Sequence, residues 1–215
     1  MRDIFHSELT QLERNLESMA SQVHTAMKRA ASALRTGDII VAEQVIDADE
    51  RINELQRDID DLCVMLLARQ QPVAGDLRHV ISALRMAQTL ERQGDLARHV
   101  AAIARGRYPE HPVPDPLFSL LVKMSDAAVE TSASVSRLIE EKDIDLARAI
   151  SDNDDILDEL QRQSFDLIIN PELNLSRQQV IDAVLLARFL ERFGDHATSV
   201  ARRVTFLVLG STEER

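Results

Sequence analysis

Glu91 and Asp95 stand four residues apart in "TLERQGDLARHVA", and 100 residues later the chain repeats them as Glu191 and Asp195 in "FLERFGDHATSVA". Residues four apart stack on one side of a helix, so each copy aims two carboxylates in nearly the same direction. Carboxylates that converge in this way repel one another unless a cation lies between them. Hard oxygen donors suit Mg, Mn, Ca or Fe ions better than a thiolate-loving metal. Each pair also brackets a glycine, Gly94 or Gly194, although glycine in a helix interior costs about 1 kcal/mol relative to alanine.

The elements that must position these groups are helices. Val80, Leu84, Ala87, Leu90, Ala97 and Ala101 recur at three- and four-residue spacing, with Gly94 in the same file. At about 100° per residue from Ala87, Glu91 falls at about 40°, inside the apolar arc, and Asp95 at about 80°, on its edge. The preceding segment offers a counterpart. Measured from Ile52, Asp49 and Asn53 lie on the flank of its apolar face, and the duplicate carries Asp154 and Asp158 there. Each unit can therefore set an E-x-x-x-D edge against a D-x-x-x-N or D-x-x-x-D edge.

These acids have a plainer reading, as groups that are solvated or paired with Arg92, Arg98, Arg192 or Arg202. The glycines have two readings as well: close approach of a neighbouring helix, or open space for a metal and its water. His79, His99 and His196 read as surface or packing residues. Ser199 replaces His99 in the repeat, and Leu96 stands where His196 would be matched.

Duplication extends well beyond the acids. Across Val80–Ala101 and Val180–Ala201, twelve of twenty-two positions are identical, which chance matches of Leu and Ala do not produce. "DIIVAEQVIDADERINELQ" and "DIDLARAISDNDDILDELQ" align at an offset of 105. Breaks at Arg35–Asp38, Arg69–Asp76, Glu140–Asp143 and Asn170–Ser176 cut each half into three long segments. Asp38, Asp143 and Ser176 are placed to cap the helices that follow. The expected fold is all-α, two tandem three-helix bundles related by internal duplication. Residues 1–107 form the first unit, 108–114 a Pro-rich linker, 115–209 the second unit and 210–215 a tail. The side-by-side or end-to-end arrangement of the units is open at this level.

Composition narrows the function. Aromatics make up only 3% of the 215 residues, so the core must be built from Leu, Ile, Val, Ala and Met. A net charge of −11 without a dense basic run argues against nucleic acid or anionic lipid as partners, since both need clustered positive charge. Cys63 is the single cysteine, in an apolar run, and reads as a small buried hydrophobe. No apolar signal segment or membrane-length run is present, so a cytoplasmic protein without membrane insertion is expected.

With two such units and "RQQPVAGDLRHVISALRMAQTLERQGDLA" in the first, the chain resembles the PhoU family of phosphate-transport regulators. Gln71, Pro72, Asp76, Leu77 and Arg78 match the start of that family's repeat, and Glu91, Arg92, Gly94 and Asp95 its end. The second repeat ends in Glu191, Arg192, Gly194, Asp195 and His196. The resemblance implies a multinuclear cluster or divalent cations, drawn from iron, zinc, manganese and magnesium. Its candidate ligands are Asp49, Asn53, Glu91 and Asp95 in unit one and Asp154, Asp158, Glu191 and Asp195 in unit two. Asn53 supplies a weaker, uncharged oxygen, so site one is expected to be the weaker. The resemblance also implies a homodimeric negative regulator of the phosphate-starvation response. Such a protein would link the cytoplasmic subunit of a phosphate ABC transporter, at the inner face of the membrane, to the sensor histidine kinase PhoR.

This reading makes the chain a non-catalytic adaptor, and no phosphate loop, G-x-S-x-G or H-E-x-x-H motif opposes it. A di-metal carboxylate oxidoreductase is the enzymatic alternative, but such bundles use Glu-x-x-His, and no Glu here has a His three residues later. A helical scaffold whose acids are only surface charge is the third.

Overall fold

The computed structural model describes residues 2–210. Six long helices hold nearly all of them: α1 (Arg2–Thr36), α2 (Ile39–Gln70), α3 (Ala74–Arg107), α4 (Leu117–Glu141), α5 (Ile144–Ile169) and α6 (Arg177–Leu209). One 3₁₀ turn, Pro171–Leu173, precedes α6. There is no strand among the described residues, and of the sequence-predicted tail only Gly210 lies within them. The fold is all-α, with α1–α3 packed as one three-helix bundle and α4–α6 as a second.

The helix starts follow from side-chain chemistry. The Asp38 carboxylate accepts from the amides of Ile40 and Val41, and Asp143 does the same for Asp145 and Leu146. Ser176 and Gln179 form a reciprocal capping box: the Gln179 amide donates to Ser176 Oγ at 3.3 Å, and the Ser176 amide donates to Gln179 Oε1 at 2.8 Å. These bonds satisfy amides that have no partner within the first turn.

The two bundles pack side by side. α1 lies against α4 and α3 against α6, while α2 and α5 cover the outer flanks. One continuous apolar core runs through both units, with Met19, Ile59, Leu90, Leu121 and Phe193 wholly buried. Equivalent repeat positions meet at the α3/α6 crossing, where buried Gln93 donates from Nε2 to the carbonyl oxygen of Phe193 at 3.0 Å. Cys63 is also buried, its thiol pushed up to about 12 by desolvation and then by Asp60, as a packing residue would be.

Polar ties cross the same seam. His24 on α1 meets Ser132 on α4 at 2.9 Å, and Lys142 pairs with Glu13. The strongest tie joins the end of α3 to the start of α6. Arg107 donates from Nε at 2.5 Å and from Nη2 at 3.0 Å to the two oxygens of Asp182, which also accepts from Gln178. Asp182 is 3% exposed, so its charge depends on this fork.

Arg107→Met should therefore cost about 2–3 kcal/mol in chemical denaturation, below the range for a fully buried pair because part of the guanidinium reaches solvent. Adding Asp182→Asn should recover most of that loss. A loss within about 0.5 kcal/mol, the scatter of ordinary surface changes, would show that the fork does not hold the seam.

Candidate metal centres

Both glycines are close-contact positions. A Cβ at Gly94 would stand 2.9 Å from Ile52 Cδ1 and 3.7 Å from Asp49 Oδ1. At Gly194 it would stand 2.7 Å from both Leu157 Cδ1 and Asp154 Oδ1. The bare backbone thus admits a branched side chain and a carboxylate of the neighbouring helix together. Close helix packing and placement of the acid are one feature of the sequence, and the neighbour fills the space beside each glycine.

In unit one the predicted residues come together, and arginine answers them. Arg98 Nε lies 3.2 Å from Asp49 Oδ2, and its Nη2 lies 3.1 Å from Asp95 Oδ1. Arg92 reaches Glu91 Oε2 at 3.5 Å and Asp95 Oδ2 at 3.6 Å. Asn53 leans on Asp49 with a long 3.5 Å contact. Burial raises the pKa of Asp49 above the usual carboxylate value, with Arg98 opposing it. Burial likewise raises Glu91, opposed by Arg92. The paired reading of the acids therefore describes unit one, and Arg98 spans the gap that a cation would fill.

Unit two has the same backbone arrangement and different charges. Thr198 stands at the repeat position of Arg98. Buried Glu191 accepts from Arg188 Nη1 at 2.6 Å on each oxygen. Among the described residues, Asp154, Asp158 and Asp195 form no ion pair. Burial raises Asp154, and Asp195 and Asp158 push it further; the Thr198 hydroxyl is close enough to oppose this. Neither Asp154 Oδ1 nor Thr198 Oγ1 makes a well-formed hydrogen bond, although both atoms are buried. Glu191 is raised by burial, then by Asp195.

The two units thus answer a metal differently. Three carboxylates without an ion pair, one of them Asp154 with a buried oxygen lacking a hydrogen bond, and the buried Thr198 hydroxyl suit a hard cation in unit two. Unit one does not suit one, because Arg98 already supplies the positive charge. With the side chains as they stand, no three His, Cys, Asp or Glu among the described residues converge on a single ion position. The exposed Asp158 and Asp195 would have to turn toward Asp154 to share one.

Sequence reasoning named Arg98 only as one nearby arginine and passed over Arg188. The signal for Arg98 lay in the repeat register, where position 98 changes from Arg to Thr while Glu, Gly and Asp stay fixed. Of the histidines, His99 packs its ring on Phe189 of α6 at 4.9 Å between centroids, and His79 lies 3.4 Å from Glu13.

Comparison with known proteins agrees with this duplicated architecture. The family described as PhoU domain matches the chain twice, over residues 16–104 and 121–204. A relative in Mycobacterium tuberculosis, named phosphate-specific transport system accessory protein PhoU homolog 2, is 39% identical over 211 residues, covering 98% of this chain and 99% of that one. The crystal structure of PhoU from Pseudomonas aeruginosa superposes with a TM-score of 0.90 at 30% identity, covering 96% of this chain and all of that one. The phosphate transport system regulatory protein PhoU from Streptococcus pneumoniae superposes at 0.83 with 25% identity, over 98% of this chain.

A raised carboxyl pKa means that the folded chain binds its proton more tightly than the unfolded chain does. Stability then falls as pH rises through the upper carboxylate range. In chelator-treated protein Asp154→Asn should raise the melting temperature at about pH 7 by roughly 2–4 °C, the effect of about 1 kcal/mol at this chain length. The gain should shrink toward about pH 4, where the wild-type carboxyl is protonated. A variant less stable than wild type at neutral pH would remove mutual repulsion as a description of unit two.

Proposed function

The chain belongs to the PhoU family, and on that premise we propose that it is a cytoplasmic accessory protein that holds the phosphate-starvation response off when phosphate is plentiful. The reading is carried by one observation: both halves match the PhoU domain, and the relatives named for phosphate transport align over nearly their whole length. The chain acts by binding. It couples the cytoplasmic subunit of a phosphate ABC transporter to the sensor histidine kinase PhoR, as a homodimer docked at the inner face of the membrane. No helix among the described residues is long and apolar enough to cross a membrane, so recruitment would go through the transporter.

In this reading the bundles are rigid supports, and the acids of α5 and α6 take a divalent cation or a metal cluster that tightens unit two. Unit one keeps its internal arginine. The absence of Glu-x-x-His pairs from the helices favours a structural or regulatory cation over a redox centre.

Deletion of the gene is the direct test. A reporter driven by a phosphate-starvation promoter should become active in phosphate-rich medium and fall silent again when the gene is restored in trans. A reporter that stays silent in the deletion strain would overturn the regulatory reading.

A further inference from the structure

The acidic chain also gathers positive charge in one groove. Between α1 and α2 of the first unit lies an open cleft of about 440 Å³, lined by His24, Thr25, Lys28, Arg29, Ser32, Val41 and Gln44. No Asp or Glu lines it, although acids outnumber Lys and Arg by 36 to 25 in the chain. Lys28 and Arg29 are exposed and take no part in the ion pairs found among the described residues. In a protein with this excess of carboxylates, cations left beside one another without an acid need a reason.

The imidazole in the groove is fixed from behind. Ser132 donates its hydroxyl proton to the Val129 carbonyl at 2.7 Å, so its oxygen is left to accept from His24 Nδ1–H at 2.9 Å. Nε2 is then the nitrogen that titrates. Burial, and next the Lys28 charge, hold His24 toward its neutral form. An anion in the groove would reverse the second effect.

The duplicated fold supplies an internal control. An overlapping groove between α4 and α5 shares two of these positions, Glu130 for Thr25 and Ser134 for Arg29, and is lined besides by Ala127, Thr131, Ile150 and Ile156. At the offset of 105 that relates these helices, His24, Lys28 and Arg29 become Val129, Ala133 and Ser134, and Thr25 becomes Glu130. At the same offset Ser32 becomes Arg137, so the second unit keeps one cation in this region but not the His24, Lys28 and Arg29 group, which the fold therefore does not require.

We propose that the α1/α2 groove of unit one binds a phosphate group, held by the Lys28 ammonium and the Arg29 guanidinium with the Ser32 hydroxyl and Gln44 amide beside them. A guanidinium, an ammonium and neutral donors set around one cleft suit a tetrahedral phosphate oxyanion with several acceptor oxygens. The site is separate from the carboxylate clusters, and it stands whether or not the chain regulates the starvation response. The same chemistry would recognise free inorganic phosphate or the phosphate of a lipid headgroup.

The test uses the full chain at constant ionic strength and follows the His24 ring by NMR while inorganic phosphate replaces chloride. Saturable changes are expected, with the His24 pKa moved upward. The Lys28→Gln/Arg29→Gln variant, altered only at exposed positions, should keep its melting temperature and bind at least about tenfold more weakly. A parallel arm measures sedimentation with vesicles of phosphatidylglycerol or of phosphatidylcholine. Saturation by free phosphate assigns the site to the ion; binding only to phosphatidylglycerol vesicles, lost in the double variant, assigns it to the headgroup. No saturable response in either arm, or equal binding by the double variant, would overturn the proposal. The starvation reporter plays no part in this assay, so failure here is distinguishable from failure of the regulatory reading.

Discussion

Asp49 and Asp154 sit where the second helix of each unit meets the third, pressed against the bare backbone of Gly94 and Gly194. Burial there disfavours their charged form and raises the pKa of both acids, and only at Asp49 does an arginine oppose it. The helix that supplies the glycine also supplies the rest of the constellation. Glu91 and Asp95, or Glu191 and Asp195, follow from the same turn of the same face. Much of what separates the two halves comes from how this charge is met: internally by Arg98 in unit one, and by no arginine at Asp154 in unit two.

α3 and α6 serve two faces at once. On one side they meet each other through Gln93 and Phe193 and close the seam between the units. On the other they present their acids to α2 and α5 on the outer flanks. A change in charge at either carboxylate site therefore acts on a helix that is also part of the inter-unit core. A cation bound at unit two would thereby have a mechanical route to the seam, where the Arg107–Asp182 fork and the His24–Ser132 contact tie the bundles together. The proposed adaptor role, in which partners are answered by small shifts of packed helices, would use such a connection.

The duplication, the helix starts and the facing of the acids were legible in the sequence, each for a physical reason. Repeated Glu, Gly and Asp cannot arise from heptad patterning, Asp38, Asp143 and Ser176 follow breaks as caps must, and four-residue spacing fixes a common face. Side-by-side packing was not legible. The buried residues of α1, α3, α4 and α6 follow one three- and four-residue period whichever helix they face, so periodicity does not say which neighbour they meet. The roles of Arg98 and Arg188 were hidden for a different reason. A flexible guanidinium can reach several acids, and spacing alone does not choose among them. The basic groove was hidden by the net charge, which averages away a local cluster on one pair of helices.

Unequal charge compensation is the centre of this account, and cation binding tests it most directly. Chelator-treated protein titrated with Mn²⁺ by calorimetry or EPR should bind through unit two. That binding should be lost in Asp154→Asn/Asp158→Asn and kept in Asp49→Asn, because Arg98 already fills unit one. Loss of Mn²⁺ binding in Asp49→Asn, or full binding retained in the unit-two variant, would contradict it.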